Sequence, residues 1–195
     1  MDQSLSTLPP TFADWFAGRG WQLRAHQAEL LEKARAGRSA LLIAPTGGGK
    51  TLAGFLPSLI DLTAKPSPVP RLHTLYVSPL KALAVDVSRN LQTPAEEMSL
   101  PVKIETRTGD TPASKRQRQR HTPPDILLTT PEQLALLLAH PAAPEFFEKL
   151  DCVILDELHA LVTSKRGDLL SLGLARLWQL APKMRTVGLS ATVAE

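Results

Sequence analysis

The segment Ala40–Thr51 reads ALLIAPTGGGKT and joins a short apolar run to the start of an amphipathic stretch. Its second part, Ala44–Thr51, fits the P-loop pattern, with alanine at the position where the first glycine is usual. A P-loop has a strand before it and a helix after it. Here the residues before the loop are an apolar run, as a buried strand requires, and those after it are an amphipathic stretch, as a helix requires. This segment therefore predicts a strand, a phosphate-binding loop and a helix in direct succession.

The chain on either side of this segment alternates further apolar runs with amphipathic stretches. Strands that are nearly all apolar and separated by helices are typical of a parallel sheet covered on both faces. The sequence thus predicts an α/β fold, namely a three-layer P-loop domain with a mostly parallel sheet flanked by helices. The expected strands lie at 40–43, 72–77, 102–105, 126–128, 153–155 and 186–189, and the longest expected helices at 22–36, 80–97, 132–140 and 168–180.

The loop contains the residue types that hold a triphosphate. Its glycines let the backbone pass close to phosphate oxygens and direct N–H groups at them. Lys50 can reach the β- and γ-phosphates, and the hydroxyl of Thr51 can ligate Mg²⁺. The alternative is a glycine-rich turn that binds nothing. We expect ATP and Mg²⁺ as cofactors, with the nucleotide held by Thr46, Gly47, Gly48, Gly49, Lys50 and Thr51.

Two adjacent acidic residues, Asp156 and Glu157, follow the apolar run 152–155. Ligands of parallel sheets bind at the carboxyl ends of the strands, where Asp156 is expected. Its carboxylate can hold Mg²⁺, and Glu157 can then orient or deprotonate the attacking water. Acidic pairs at strand ends are also common without a catalytic role, so it is the neighbouring P-loop that favours catalysis. His159 stays open between a contact to the γ-phosphate region or to Ser190–Thr192 and an ordinary position at a helix start.

Composition limits the class of protein. The 195 residues carry a formal net charge of +3, and 43% of them are hydrophobic, which suits one domain with a substantial core. The mild positive charge permits a nucleic-acid partner without requiring one. The single cysteine, Cys152, lies in an apolar run, which predicts a buried thiol and excludes an intrachain disulfide. Neither a secretory signal nor a membrane-spanning stretch is evident, so we expect a cytoplasmic chain without a membrane partner.

Taken together, these segments resemble the superfamily 2 helicases of the DExH type. Motif I corresponds to Ala44–Thr51, motif II to Asp156–His159 and motif III to Ser190–Thr192. Gln27, in the segment WQLRAHQ, is similar to the glutamine that contacts the adenine edge in this family. The stretches LYVSPLKAL at 75–83 and DELHALVTSKRG at 156–167 are most similar to Lhr-type helicases, especially the bacterial ligase-associated DNA-damage-response branch.

The resemblance implies a RecA-like fold whose ATP hydrolysis drives movement on single-stranded DNA, with duplex unwinding in a repair setting. RNA as a further substrate stays open. By this resemblance the catalytic residues are Lys50, Asp156, Glu157 and His159, the Mg²⁺ ligands are Thr51 and Asp156, and Gln27 reads the base. A DNA ligase or a nuclease would be the repair partner.

Three further segments, 78–83, 107–111 and 129–134, resemble the motifs Ia, Ib and Ic that hold the sugar-phosphate backbone of one strand. Their cation, hydroxyls and glycine suit phosphate contacts, and none of them reads a base, so sequence-independent binding is expected. The expected contacts are Pro79, Lys81, Thr108, Gly109, Thr130 and Pro131, and the expected coupling residues are Ser190 and Thr192. The basic run Lys115–His121 favours a solvated helix face over a second phosphate-contacting patch.

The resemblance also implies a division of the chain. Residues 1–38 are expected to form an N-terminal helical segment with the adenine-reading glutamine, and residues 39–195 the first RecA-like domain. A second RecA-like domain is expected to supply an arginine for hydrolysis. Because no residue follows Glu195, we expect the chain alone to be weak or inactive. Two alternatives stay open: a non-catalytic single-strand nucleic-acid-binding module, and a motor ATPase that translocates without unwinding.

Overall fold

A computed structural model of the chain describes residues 7–45, 49–162 and 164–191. The described residues contain six strands: β1 (Ala40–Ile43), β2 (Thr74–Val77), β3 (Ile104–Arg107), β4 (Ile126–Thr129), β5 (Cys152–Leu155) and β6 (Arg185–Ser190). All of them pair in parallel in one sheet, in the order β1-β6-β5-β2-β4-β3. Their carboxyl ends therefore meet at one edge.

Helices connect the strands and precede the first of them. In chain order they are α1 (Pro10–Gly18), α2 (Ala25–Arg35), α3 (Lys50–Ala64), α4 (Lys81–Glu97), α5 (Ala113–His121), α6 (Pro131–Leu138), α7 (Ala143–Phe147), α8 (Leu158–Val162) and α9 (Lys165–Leu180). None of the helices in the described part of the chain is long and apolar enough to cross a membrane.

The sheet separates two hydrophobic clusters because successive side chains of a strand point to opposite faces. In β5, Cys152 and Ile154 pack with α1 to α4, whereas Val153 and Leu155 pack with α6 to α9. The predicted three-layer α/β fold is therefore confirmed. Cys152 is fully buried, as predicted, and burial raises the pKa of its thiol to about 11.

The N-terminal helices belong to the same packed body as the sheet. Phe12 and Phe16 of α1 are each 1% exposed and lie in the cluster that also contains Leu30 of α2 and Tyr76 of β2. The expected helical segment before residue 39 thus packs directly on the core, on the same face of the sheet as α3 and α4.

Several expected boundaries differ from the observed ones by one to three residues, and two of these differences have a visible cause. Strand β3 begins at Ile104 and not at Val102, because the backbone N–H of Lys103 donates to the side chain of Asp125 and the ladder with β4 starts at Ile104. Helix α2 begins at Ala25 and not at 22, because the side-chain oxygen of Gln27 accepts from the backbone N–H of Arg24 and so fixes the first turn. The short helices α7 and α8 were not predicted.

Candidate nucleotide site and nucleic-acid face

The carboxyl edge of the sheet brings the predicted motifs together. The register pairs Ile43 with Ser190, while Leu155 and Thr129 each pair with Val77. The P-loop, motif II, motif III and motifs Ia to Ic therefore all leave the sheet on the same side. Thr46, Gly47, Gly48 and Thr192 lie outside the described residues.

Gly49 is the last P-loop residue before α3, and its backbone is left-handed, with φ of 74°. A side chain at this position would meet the Gln27 Nε2 at 3.2 Å and the Arg24 Nη1 at 3.7 Å. Lys50 opens α3, and its Nζ donates to the Ala44 carbonyl at 2.6 Å. The ammonium group therefore lies against the first residue of the loop, with Gln27 and Arg24 on the other side of Gly49.

Asp156 is held tightly at the end of β5. It is 5% exposed, its Oδ2 accepts from the Tyr76 hydroxyl at 2.5 Å, and its Oδ1 accepts from the backbone N–H of Glu157 at 2.8 Å. Burial raises the pKa of Tyr76, and the Asp156 carboxylate raises it further, so the phenol remains protonated and donates. Both carboxylate oxygens thus have a fixed neutral donor. Tyr76 was not among the predicted site residues.

Glu157, His159 and Ser190 form a chain of contacts between motif II and motif III. Glu157 has a left-handed backbone with φ of 46°, and its Oε2 lies 3.2 Å from the His159 Nε2. The His159 Nδ1 lies 3.1 Å from the Ser190 Oγ. Because a carboxylate only accepts, the Nε2–H of His159 donates to Glu157. The Ser190 hydroxyl lies within hydrogen-bond distance of both the His159 Nδ1 and the Ala191 carbonyl, to which it donates at 3.2 Å. Of the alternatives left open for His159, the structure therefore places it against the motif III segment.

A cleft of about 600 Å³ opens beside Gly49. Gln27 contributes a 3% exposed amide to its wall, and Trp21 contributes an indole that is 46% exposed. A second cleft of about 360 Å³ shares Trp21 and reaches Thr51. Trp21 packs edge-on against Trp15 and Phe16, with the Arg19 guanidinium 5.1 Å from its ring centroid, and its half-exposed ring borders both clefts.

The residues predicted to bind Mg²⁺ have the right donor chemistry. Mg²⁺ prefers oxygen ligands, and the Asp156 carboxylate and the Thr51 hydroxyl are both oxygen donors at this edge. Each Asp156 oxygen accepts one hydrogen bond and keeps a further lone pair for a cation. Among the described residues, the ion pairs formed by Lys and Arg do not involve Asp156 or Glu157. The site therefore fits a divalent cation.

The six residues predicted to contact nucleic acid lie along the same edge but differ in exposure. The residues Pro79, Thr108, Thr130 and Pro131 are buried, and the two prolines have no backbone N–H to donate to a phosphate. Gly109 and Lys81 are exposed, and the Lys81 Nζ pairs with the Asp110 Oδ2 at 2.6 Å. A cleft of about 440 Å³ between α4 and the loop after β3 is lined by Lys81, Thr108 and Lys115.

The basic run at 115–121 forms most of α5, in agreement with the expected helix. Arg118 donates through two nitrogens to both oxygens of Glu105 on β3, at 2.9 and 2.8 Å. A shorter basic run, Lys165 and Arg166, lies at the start of α9. Arg166 contacts Glu132 and the Pro79 carbonyl. These contacts link residues 34 and 87 positions apart, and the sequence contains no signal for them.

Comparisons with known proteins agree with this arrangement. The family model of the DEAD/DEAH box helicases matches residues 24–195. The Lhr helicase/probable uracil glycosylase of Mycolicibacterium smegmatis is 46% identical over 194 residues, covering 92% of this chain and 13% of the relative. The ATP-dependent helicase Lhr-Core of Methanothermobacter thermautotrophicus is 39% identical, covering 96% of this chain and 23% of the relative.

Solved structures give the same result. The structure of Mycobacterium smegmatis helicase Lhr bound to ssDNA and AMP-PNP matches with a TM-score of 0.86 and 42% identity, covering 98% of this chain and 26% of that one. DEAD-box helicase Mss116, at 19% identity and a TM-score of 0.85, shares the fold. The chain thus spans 13% of one Lhr relative and 23% of another, so it corresponds to one part of much longer proteins.

Proposed function

This chain belongs to the DEAD/DEAH box helicase family, and we propose that it is the ATP-binding RecA-like domain of an Lhr-like motor that moves on single-stranded DNA. The observation that carries the proposal is the placement of Lys50 and the pair Asp156 and Glu157 at one edge of a parallel sheet. A cationic loop beside two carboxylates without a fixed cation suits a phosphate ligand that arrives with its own divalent metal.

In the proposed reaction, Lys50 leaves the Ala44 carbonyl and neutralises charge on the β- and γ-phosphates. Asp156 and Thr51 would hold Mg²⁺, which when bound neutralises charge on the same phosphates. Glu157 accepts a proton from the attacking water on its carboxylate. His159 keeps that carboxylate in place through Nε2, at 3.2 Å.

The base would lie in the cleft beside Gly49, where the Gln27 amide can pair with the adenine edge. The Gln27 Oε1 already accepts from the Arg24 N–H, which orients the amide so that its Nε2 faces Gly49. This oriented donor supports a preference for a particular base. Trp21 supplies the adjacent apolar surface.

Nucleic acid would lie across the loops after β2, β3 and β4, with Lys81 and Gly109 as the exposed contacts. Ser190 would relay the state of the ATP site to this face through His159. Thr192, the other residue proposed for this coupling, lies outside the described residues. A second RecA-like domain would close the nucleotide cleft. We further propose a cytoplasmic repair role in the ligase-associated branch, with a DNA ligase or a nuclease as partner.

The proposal is tested by titrating the chain with ATP and Mg²⁺ in a calorimeter. Lys50→Ala should weaken ATP binding by at least about tenfold, because it removes the one charge that the loop directs at the phosphates. Lys65→Ala is the matched control, since Lys65 lies at the other end of the same helix and is exposed. It should leave the affinity unchanged.

Two results would contradict the proposal. If the wild-type chain bound a single-stranded oligonucleotide but no ATP, it would be a non-catalytic nucleic-acid-binding module. If Lys50→Ala and Lys65→Ala bound ATP equally well, the loop would not be the phosphate site. A motor that translocates without unwinding would be recognised by nucleic-acid-stimulated hydrolysis without strand separation in the longer protein.

A further inference from the structure

Arg166 joins three segments that are far apart in the sequence. Its Nε and Nη2 donate to the two carboxylate oxygens of Glu132, at 2.5 and 2.9 Å, and its Nη1 donates to the Pro79 carbonyl. Glu132 is the second residue of α6, and Pro79 lies in the loop between β2 and α4. One guanidinium group therefore connects the start of α9 to the start of α6 and to the loop between β2 and α4.

The start of α9 is itself fixed to the catalytic strand. The Ser164 hydroxyl caps α9 by accepting from the Gly167 N–H at 3.3 Å. A Cβ at Gly167 would lie 2.1 Å from the Leu161 carbonyl oxygen, so the first turn of α9 touches the backbone of α8. Helix α8 begins directly after Glu157. Arg166 is thus separated from the carboxylate pair by one short helix and one close backbone contact.

The ion pair between Arg166 and Glu132 is stronger than an ordinary surface pair. The hydrogen bonds from Arg166 lower the pKa of Glu132 to about 2, and Glu132 also lies at the N-terminus of α6, where negative charge is favoured. The geometry is bidentate, which adds orientation as well as energy. Both side chains are still partly exposed, at 39% and 47%, so the pair lies at the surface of the proposed nucleic-acid face.

We propose that Arg166 and Glu132 are positioning residues for nucleic acid, and that they hold the Pro79 and Thr130–Pro131 segments at the spacing that fits consecutive phosphates of one strand. The inference rests on the proposed nucleic-acid function. Pro79 and Pro131 have no backbone N–H to donate, so the phosphate donors would be the N–H groups in the first turns of α4 and α6, into which these segments lead. The relative position of the two segments therefore decides whether both turns meet one strand. Three of the five N–H groups of the guanidinium are used within the protein, which holds Arg166 between these segments.

The substitution Glu132→Gln separates positioning from plain charge attraction. Removing a negative charge from the face should tighten binding of a polyanion if only net charge matters. If Glu132 positions the segments, the same substitution should weaken binding of a labelled oligothymidylate by about three- to tenfold. The readout is fluorescence anisotropy of the oligonucleotide titrated with the 195-residue chain, with ATP affinity measured in parallel.

Glu105→Gln is the matched control. It removes the same charge and breaks the other bidentate Arg–Glu contact, between Glu105 and Arg118, which does not involve Pro79 or α6. This variant should bind the oligonucleotide at least as tightly as the wild type. Arg166→Lys keeps the charge but loses the fork, and should weaken binding as Glu132→Gln does.

The outcomes are distinguishable. Weaker oligonucleotide binding by Glu132→Gln, with ATP affinity unchanged, supports the positioning role, because a general loss of structure would lower both affinities. Equal or tighter binding by Glu132→Gln overturns it, as does full binding by Arg166→Lys. If the wild-type chain binds no oligonucleotide, with or without ATP, the proposed nucleic-acid function fails and this inference fails with it.

Discussion

Strand β5 carries an aspartate at each end, and the two have opposite surroundings. Asp151 precedes the strand and lies 3.0 Å from the guanidinium of Arg185, which is 4% exposed and also lies 3.2 Å from Asp61. Asp156 follows the strand and receives hydrogen bonds from the Tyr76 hydroxyl and a backbone N–H, both neutral. One end of β5 thus has its own cation, whereas Asp156 at the other end has no Lys or Arg partner among the described residues.

This difference separates a structural cluster from a candidate active site. Asp61, His73 and Asp151 lie close enough together to suggest a metal site. However, Arg185 already provides the positive charge there, and burial together with Arg185 lowers the pKa of His73 to about 4. Asp156 has the opposite character: it is buried and oriented, and its charge is not matched by a protein cation within the described residues. A divalent metal would be favoured only at the second edge.

The largest expected effect comes from exchanging the two aspartates for asparagine one at a time. Asp156→Asn should lower ATP hydrolysis by about 100- to 1000-fold, because it removes the charge that would hold Mg²⁺. The amide NH₂ would also face one of the two hydrogen-bond donors of Asp156, the Tyr76 hydroxyl or the Glu157 backbone N–H. Asp151→Asn should change hydrolysis by less than about threefold and should lower the free energy of unfolding by about 1 kcal/mol, since its carboxylate is partly exposed. Phosphate release, measured with this domain joined to a second RecA-like domain, and urea unfolding of the 195-residue chain measure these effects. Equal loss of hydrolysis in both variants would remove the distinction between the edges.

Much of the edge at the carboxyl ends of the strands could be predicted, because each of its motifs is a short continuous stretch of sequence. The P-loop and the Asp156–Glu157 pair each follow a short apolar run, and parallel strands bring such positions to one edge. The strand at 40–43 was placed correctly, since its apolar run is bounded by Ser39 and the loop. The placement of the residues was thus predictable, whereas their contacts were not.

The unpredicted contacts are non-local. Tyr76 reaches Asp156 across 80 residues because Val77 pairs with Leu155, and this register is a property of the assembled sheet. Arg185 precedes an apolar strand and gave no sequence signal that it would join Asp61 and Asp151. The pairing of Arg166 with Glu132 depends on α6 packing beside α9. Such contacts follow from which strands and helices become neighbours.

The second prediction concerns the pH dependence of stability. It tests the cluster of Asp61, His73, Asp151 and Arg185, which lies at the N-terminal edge of the sheet, where the strands begin. The pKa of His73 falls from 6.5 in the unfolded chain to about 4 in the folded one, mainly through burial. The unfolded state therefore binds the proton more readily between these values, and stability falls as pH drops from about 6.5 to about 4. The expected loss is about 2 to 3 kcal/mol, measured by urea unfolding across this range.

His73→Gln should flatten this part of the stability profile, whereas His140→Gln, at an exposed position, should not. The carboxylates with lowered pKa values, Glu132 among them, act at lower pH. Asp61, whose pKa is raised by burial, acts at the acid end of the window with the opposite sign, because the folded state favours its protonated form. A profile that keeps its full slope in His73→Gln would show that the acid sensitivity originates elsewhere than in the cluster at the N-terminal edge.

The smallest expected effects concern two hydroxyl groups of β2, one directed at each end of the sheet. Tyr76 of β2 donates to Asp156, and Thr74 of the same strand lies 2.9 Å from the His73 Nδ1. Tyr76→Phe and Thr74→Val should each cost about 1 kcal/mol of unfolding free energy, because each leaves one buried polar partner without its hydrogen bond. Only Tyr76→Phe should also slow ATP hydrolysis, by about three- to tenfold, since Asp156 then loses one of the two donors that orient it. If Thr74→Val slowed hydrolysis to the same extent, stability and not orientation of Asp156 would explain both results.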